Sequence, residues 1–395
     1  DAEDDVIENL LNKYESLSDH IKVVKKNPDV YPTFAAQYTS ETVANNSLVV
    51  ECGDRSRYIG YDDIYLYEPN MTSYSYNASF DGEGAITSAI DYVVNEEMPQ
   101  VYVLEGHGEA ELPEAFSDQI EKENMELTTF SLLTEDSVPE EADCVLIYAP
   151  ASDISREEKD QLAKYVSGGG KLMVLAGPVE NGTLENLYSL LEDYGVEAAE
   201  GIVVETDRGH YAFQAPYILL PNLQSSEITD PLIQEHYYSI IPIAQGLTVK
   251  GADSAEVTEL LTTSETAFSK TDGYGLTTYE KEEGDTDGPF AVAVSVACGN
   301  DGQMIWFTSS HFLDDMYNAY SSGANLDLGM NALSSLIGES EAVAIRSKSL
   351  NYNYLTISDS TASLLKTVMI GVFPLLYLGI GICVVVRRRR KDETV

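Results

Sequence analysis

Blocks of apolar positions alternate with amphipathic stretches from residue 85 to about residue 200. Aliphatic runs such as QVYVLEG from Gln100 and DCVLIYAP from Asp143 are typical of buried strands. The stretches between them predict helices, one of which opens with the capping-box pair Ser155 and Glu158 and closes at Gly168. Strands that alternate with helices of about 10–15 residues predict βαβ units and a parallel sheet.

The rhythm stops between residues 200 and 289 and then returns. That stretch holds scattered aromatic and Gly-rich segments, which predict an irregular insertion with strands of its own. Two strong strand patterns follow, FAVAVSVAC from Phe290 and QMIWFTSS from Gln303, and then a helix around Leu326–Leu336. We expect these elements to complete the same sheet, so that residues 85–340 form a central α/β domain.

Residues 1–68 predict a smaller α/β module. Its first apolar residues follow helical spacing, IKVV from Ile21 predicts a strand, and SLVVEC and RYIGY around Gly53 predict a hairpin. Residues 69–84 are polar and rich in Tyr and Asn, which indicates a linker. The chain opens without Met, a basic leader or an apolar leader, so we expect a processed or truncated piece that lacks its first strand.

The C-terminal pattern predicts one transmembrane helix at residues 364–386, whose only charge is Lys366. A juxtamembrane segment, 341–363, precedes it, and a cytoplasmic basic tail, 387–395, follows. The positive-inside rule then places the bulk of the chain on the outer side of a cell membrane. The topology signal consists of five consecutive cations, Arg387, Arg388, Arg389, Arg390 and Lys391.

The net charge and the cysteine spacing exclude some classes of partner and ligand. The formal net charge of −43 repels phosphate backbones, so the sequence predicts no nucleic-acid partner. The four cysteines form no C-x-x-C pair and form no disulfide framework, although one disulfide among Cys52, Cys144 and Cys298 stays open. We therefore expect no metal and no cofactor.

The turn Gly106-His107-Gly108-Glu109 is the candidate site. It follows a predicted strand, and ligands of open parallel sheets bind at the carboxyl ends of strands. His311 follows another predicted strand, so His107, Glu109 and His311 could share one crevice for a ligand or partner, or form a weak metal set. The alternative is a structural corner, in which Gly108 supplies a positive φ and the glutamates favour the start of the next helix.

Motifs for catalysis are missing from the sequence. No G-x-S-x-G nucleophile turn and no G-x-x-x-x-G-K-[ST] phosphate loop occurs, and Ser152 has no base beside it in sequence. The sequence therefore favours a non-enzymatic protein with no catalytic residues.

Several segments resemble GldG-like proteins, which are auxiliary components of ABC transporters. The most specific is GAITSAIDYVVNEEMPQVYVLEGHGEAEL from Gly84, and LLNKYESLSDHIKVVKKNPDVYPTFAAQY, VVECGDRSRYIGYDDIY and FPLLYLGIGICVVVRRRRK agree with it. The resemblance implies an extracytoplasmic α/β region held by membrane helices at both ends, which acts with separate ABC permease and ATPase subunits. The sequence departs from that pattern because no N-terminal membrane helix precedes its first helix, which agrees with the expected truncation. The central domain is also similar to flavodoxin and class I amidotransferase folds, without a match to the amidotransferase nucleophile.

Our first hypothesis is a non-catalytic, membrane-anchored auxiliary subunit that docks on permease and ATPase subunits and contacts a small solute or an envelope polymer. One alternative is a membrane-tethered hydrolase of an envelope polymer that uses His107 and Glu109. Another is a receptor for a solute such as a sugar, bound by the Tyr-rich lobe.

Overall fold

A computed structural model gives the fold of the chain. Residues 1–66 and 80–348 form one compact unit, and residues 67–79 and 349–395 form a second. These boundaries differ from the predicted ones, which separated a module at 1–68 from a domain at 85–340. The structure describes residues 3–27, 30–31, 33–40, 42–70, 75–95, 98–251, 255–338, 348–349, 373 and 381.

The helices follow the predicted order along the chain. Their bounds are α1 Asp5–Leu17, α2 Tyr61–Ile64, α3 Gly82–Val94, α4 Glu114–Lys122, α5 Arg156–Ser167, α6 Glu185–Glu192, α7 Asp230–Gln234, α8 Asp315–Tyr320 and α9 Ala324–Ile337.

The strands fall into one large sheet and four small ones within the described residues. Their bounds are β1 Leu48–Cys52, β2 Arg55–Ile59, β3 Tyr65–Asn70, β4 Ser75–Phe80, β5 Gln100–Leu104, β6 Glu126–Phe130, β7 Cys144–Tyr148, β8 Lys171–Leu175, β9 Val196–Ala198, β10 Ile202–Val204, β11 Ile218–Leu219, β12 Asn222–Leu223, β13 Ile241–Pro242, β14 Leu247–Val249, β15 Glu256–Thr262, β16 Phe268–Lys270, β17 Thr286–Asp287, β18 Ala291–Ala297, β19 Gln303–Phe307 and β20 Lys348–Ser349.

The N-terminal elements form as predicted in part. Asp4 caps α1, its Oδ1 accepting from the Val6 N–H at 2.9 Å, and β1 and β2 form the predicted antiparallel hairpin. Residues 21–27 form no strand, so the prediction for IKVV is wrong; that stretch pairs with no neighbouring strand. The predicted linker, 69–84, instead contains the end of β3, all of β4 and the start of α3.

The five-strand core of the large sheet is parallel, as predicted. Its order is β19-β8-β7-β5-β6, and each neighbouring pair is parallel. Every residue of β7 is buried, because successive side chains point to opposite faces and helices cover both. Leu146 packs with α4 and α9 on one face, whereas Val145 packs with α5 and α6 on the other.

The insertion contributes to the same sheet instead of forming a separate lobe. β18 pairs antiparallel with β19, and β15 and β12 extend the sheet from β18. β14 also pairs with β18, and β9 pairs with β14. The remaining insertion strands form two small sheets, β10-β16-β17 and β11-β13.

The membrane predictions fall mostly on undescribed residues. No helix of the described part of the chain is long and apolar enough to cross a bilayer. Apart from residues 373 and 381, the predicted span 364–386 and the predicted tail 387–395 lie outside the described residues.

Candidate functional site

The Gly-His-Gly-Glu turn begins where β5 leaves the sheet. The Glu105 N–H still donates to the Phe130 carbonyl oxygen at 2.9 Å, and then Gly106 adopts φ +131°. A Cβ on Gly106 would lie 2.8 Å from Leu133 Cδ1, so a larger residue would displace that side chain in addition to adopting a φ that favours glycine. Gly108 also has a positive φ, +72°, which agrees with the left-handed conformation that the sequence suggested.

The His107 side chain lies between two carboxylates in the interior. Its Nδ1 lies 3.1 Å from Glu109 Oε1, and its Nε2 lies 3.2 Å from Glu158 Oε2 and 3.1 Å from Glu158 Oε1. His107 is 6% exposed, and the side chains of Glu109 and Glu158 are 8% and 3% exposed. We call these three residues the His107 triad.

Each glutamate of the triad also accepts hydrogen bonds from backbone N–H groups. Glu109 Oε2 accepts from the N–H groups of Gly106 at 3.0 Å and His107 at 2.8 Å. Glu158 Oε2 accepts from the Ser155 N–H at 2.8 Å, and Ser155 Oγ accepts from the Glu158 N–H at 3.2 Å, which confirms the predicted capping box of α5. The triad therefore joins the turn after β5 to the first turn of α5.

The electrostatics favour a charged imidazolium. The hydrogen bond to Glu109 raises the pKa of His107 more than burial lowers it, and the charge of Glu158 raises it further. Burial opposes ionisation of Glu109, but the bonds from His107 and from backbone N–H groups lower its pKa overall. The pKa of Glu158 is lowered in the same way, against burial, by Ser155 and His107. Both ring N–H groups thus donate to ionised carboxylates.

The backbone of the turn is attached to the loop that follows β7. The His107 carbonyl oxygen accepts from the Ala151 N–H at 3.1 Å, the Ser152 N–H at 3.0 Å and Ser152 Oγ at 3.0 Å. The Ala110 N–H donates to the carbonyl oxygen of Ala149, a residue with φ +46°. These bonds fix two neighbouring strand ends in one arrangement, so the geometry agrees with the structural-corner alternative.

His311 has a different partner. Its Nδ1 lies 3.0 Å from Asp314 Oδ2, and that hydrogen bond raises the pKa of His311 although burial opposes it. The strand before His311, β19, is separated from β5 by β8 and β7. Three interstrand spacings amount to roughly 14 Å, so the sheet order does not bring His107 and His311 onto a common ligand.

The nucleophilic side chains that the sequence analysis considered are hydrogen-bonded or buried. Burial raises the pKa of Cys144 to about 12 and that of Cys298 to about 11, which keeps both thiols protonated. Ser152 Oγ donates to a carbonyl oxygen and has no base as partner. The described part of the chain holds no group of three or more His, Cys, Asp or Glu residues that suits a metal ion.

Sequence reasoning missed Glu158 as a member of the site. Its capping-box position was readable from the spacing to Ser155, and that position fixes where its carboxylate lies. Its second partner, His107, is 51 residues away. Only the pairing of β5 with β7 brings the two together.

The chain is similar to several solved structures. It is similar to the mmIFT52 N-terminal domain, at 16% identity and a TM-score of 0.45, with 60% of this chain and 97% of that chain covered. It is also similar to a putative GMP synthase protein from Thermoplasma acidophilum, at 10% identity and a TM-score of 0.33, with 62% and 100% covered. For PurLQS from Thermotoga maritima the identity is 9%, the TM-score 0.31, and the coverage 61% and 100%. No curated protein matches the chain.

Residues 98–332 match the family described as an ABC-type uncharacterized transport system. The match runs from just before β5 to within α9 and so includes the parallel sheet, the His107 triad and the insertion. Because it spans more than half of the chain, the chain belongs to this family and is an auxiliary component of an ABC-type transport system.

Proposed function

We propose that this protein is a non-catalytic, membrane-anchored subunit that docks on the permease–ATPase complex of an ABC transporter, with the bulk of its chain on the outer side of the membrane. The family match over residues 98–332 carries the proposal. The GldG-like segments and the predicted C-terminal anchor refine it to the extracytoplasmic subtype. The acidic composition suits a solvated outer setting.

The chemistry of the His107 triad supports a structural rather than a catalytic role. A general base needs a free nitrogen lone pair within reach of a substrate. Both nitrogens of His107 bond to carboxylates, and the ring is almost completely buried. The triad therefore serves to hold the carboxyl edge of the sheet in a fixed shape, as a docking surface requires.

The test is affinity purification of the full-length protein from its native membrane in mild detergent, followed by mass spectrometry. We expect a multi-span permease and an ATPase to copurify in near-equal amounts. The matched control is the same protein ended at residue 363, which removes the predicted anchor. We expect this variant to leave the membrane fraction.

Two results would contradict the proposal. If the full-length protein purifies alone, docking on a transporter is wrong. If the full-length protein stays in the soluble fraction, or if residues 1–363 alone associate with the membrane as well as residues 1–395 do, the predicted anchor is wrong. Copurification of an envelope polymer or a small solute with the complex would identify what the protein contacts.

A further inference from the structure

A tight hairpin in the insertion displays an aromatic residue at its tip. Tyr211 bridges to Leu219, and the Ala212 N–H donates to the Ile218 carbonyl oxygen at 2.9 Å. The Ala215 N–H donates to the Ala212 carbonyl oxygen at 2.9 Å and closes a four-residue turn. Phe213 is one of the two central residues of this turn.

The two central residues of the turn, Phe213 and Gln214, are of types that disfavour the backbone conformation they adopt there. Phe213 and Gln214 have φ values of +54° and +57°, the pattern of a type I′ turn. Such turns ordinarily hold Asn and Gly, because a Cβ crowds the backbone at positive φ. An aromatic side chain at this position therefore costs stability, and backbone strain of this kind is concentrated at functional surfaces.

The Phe213 ring is part of an exposed apolar surface. It is 51% exposed and packs edge-on against Tyr320, with ring centroids 4.6 Å apart. The Tyr238 hydroxyl donates to the Tyr320 carbonyl oxygen at 3.0 Å. Met316 lies one turn before Tyr320 on α8 and is 52% exposed. We call Phe213, Tyr238, Met316 and Tyr320 the Phe213 surface.

Acidic groups border this surface. Asp315 is the first residue of α8 and directly precedes Met316, whereas the Asp314 carboxylate before it is already paired with His311 at 3.0 Å. The pKa of Tyr317 on the same helix is raised by burial, by the charge of Asp314 and by Tyr217 of the hairpin. The two segments that build the surface, 209–249 and 282–345, contain no Lys and no Arg. Arg208 directly precedes the hairpin.

We propose that the Phe213 surface binds a basic segment of the permease, with an arginine or lysine against the tyrosine rings and the Asp315 carboxylate. Exposed aromatic rings attract cations through their π faces, and neighbouring carboxylates add Coulomb attraction. Aromatic residues are also the common anchors of protein interfaces. The identity of the partner rests on the proposed function, whereas the preference for a cationic segment rests on the surface itself.

The main variant is Phe213→Asn combined with Gln214→Gly. It removes the aromatic side chain and supplies the residues that the turn favours, so its thermal midpoint should stay equal to or rise above that of the wild type. Its net charge is unchanged, so nonspecific attraction of basic peptides is the same. The matched control is Tyr31→Ala, since Tyr31 is 53% exposed and lies in the N-terminal module.

The direct test uses the full-length protein in detergent and fluorescein-labelled peptides of equal length, one with Arg-Leu-Arg and one with Glu-Leu-Glu in a Gly-Ser background. We expect the arginine peptide to bind about fivefold or more tightly than the glutamate peptide in the wild type and in Tyr31→Ala. The double variant should lose about fivefold in affinity for the arginine peptide, and Asp315→Asn should reduce it as well. Equal binding of the arginine peptide by the wild type and the double variant would overturn the proposal.

The copurification assay separates this proposal from the proposed function. If the wild type captures the permease and the double variant does not, both stand. If both proteins capture it equally, the transporter role stands and the Phe213 surface is not the docking site. If the wild type captures no permease, the transporter role fails, and the peptide titration alone decides whether the surface binds a cationic segment.

Discussion

Replacement of Glu158 by Gln tests the interpretation of the His107 triad as a structural connection. The change removes one negative charge from a side chain that is 3% exposed and keeps its shape. Gln still fits the capping box, because its side-chain oxygen can accept from the Ser155 N–H. The interaction that Glu158→Gln removes is therefore mainly the ion pair with His107.

The magnitude follows from two opposing effects. A buried hydrogen bond to a charged group contributes about 1.5–3 kcal/mol. The neutral amide is less costly to bury than the carboxylate, which offsets part of the loss. We expect the free energy of unfolding to fall by about 1–2 kcal/mol in Glu158→Gln. Glu158→Ala also removes the capping-box bond and should lose about 1 kcal/mol more.

The assay is urea unfolding at pH 6, in which the fluorescence of Trp306 reports the fraction of unfolded protein. Trp306 is the single tryptophan of the chain and lies fully buried in β19 of the same sheet. The matched control is Glu157→Gln, which removes the same charge from the same helical turn at an exposed position. It should cost only a few tenths of a kcal/mol. Equal losses in the two variants would refute the assignment of Glu158 to a stabilising triad.

Three further predictions concern pH, the buried lysine and the cysteines. The folded pKa of His107 is raised, so its stabilisation is complete below the unfolded value of about 6.5 and is lost as pH rises through the folded pKa; the destabilisation by His107→Asn should be largest near pH 6 and shrink toward pH 9, and a pH-independent difference would contradict this. Lys270 is fully buried and bonds to two carboxylates, so Lys270→Met should lower the unfolding midpoint more than Lys281→Met, whose ion pair is exposed; equal midpoints would count against it. In the native protein, iodoacetamide should label the exposed Cys52 and spare the buried Cys144 until urea unfolds the sheet, as measured by mass spectrometry of tryptic peptides; native labelling of Cys144 would show that β7 is open to solvent.

Local signals in the sequence account for most of the parallel core. The aliphatic runs at β7 and β8 are buried on both faces, and the aliphatic residues of β5 are buried as well, so all three strands appear as apolar blocks. The spacing from Ser155 to Glu158 and the glycine at residue 168 fixed both ends of α5. These features depend on residues within a few positions of each other, which is why a single sequence reveals them.

The insertion was harder to place for a physical reason. β12, β14 and β9 have only two or three residues each, too few for a period-two pattern to stand out. β12 pairs with β15, β14 pairs with β18 and β9 pairs with β14, each through backbone hydrogen bonds between distant segments. Propensity alone therefore indicated an irregular lobe, whereas the strands extend the main sheet.

The sequence by itself determined the alternation of strands and helices, the acidic surface and the glycines of the turn after β5, because composition and short-range periodicity carry that information. Tertiary structure decided that Glu158 binds His107, that His311 binds Asp314 instead of sharing a site with His107, and that Phe213 meets Tyr320. These contacts join residues brought together by strand order and by hairpin conformation. Side-chain chemistry at one position does not specify its partner until the backbone has placed both.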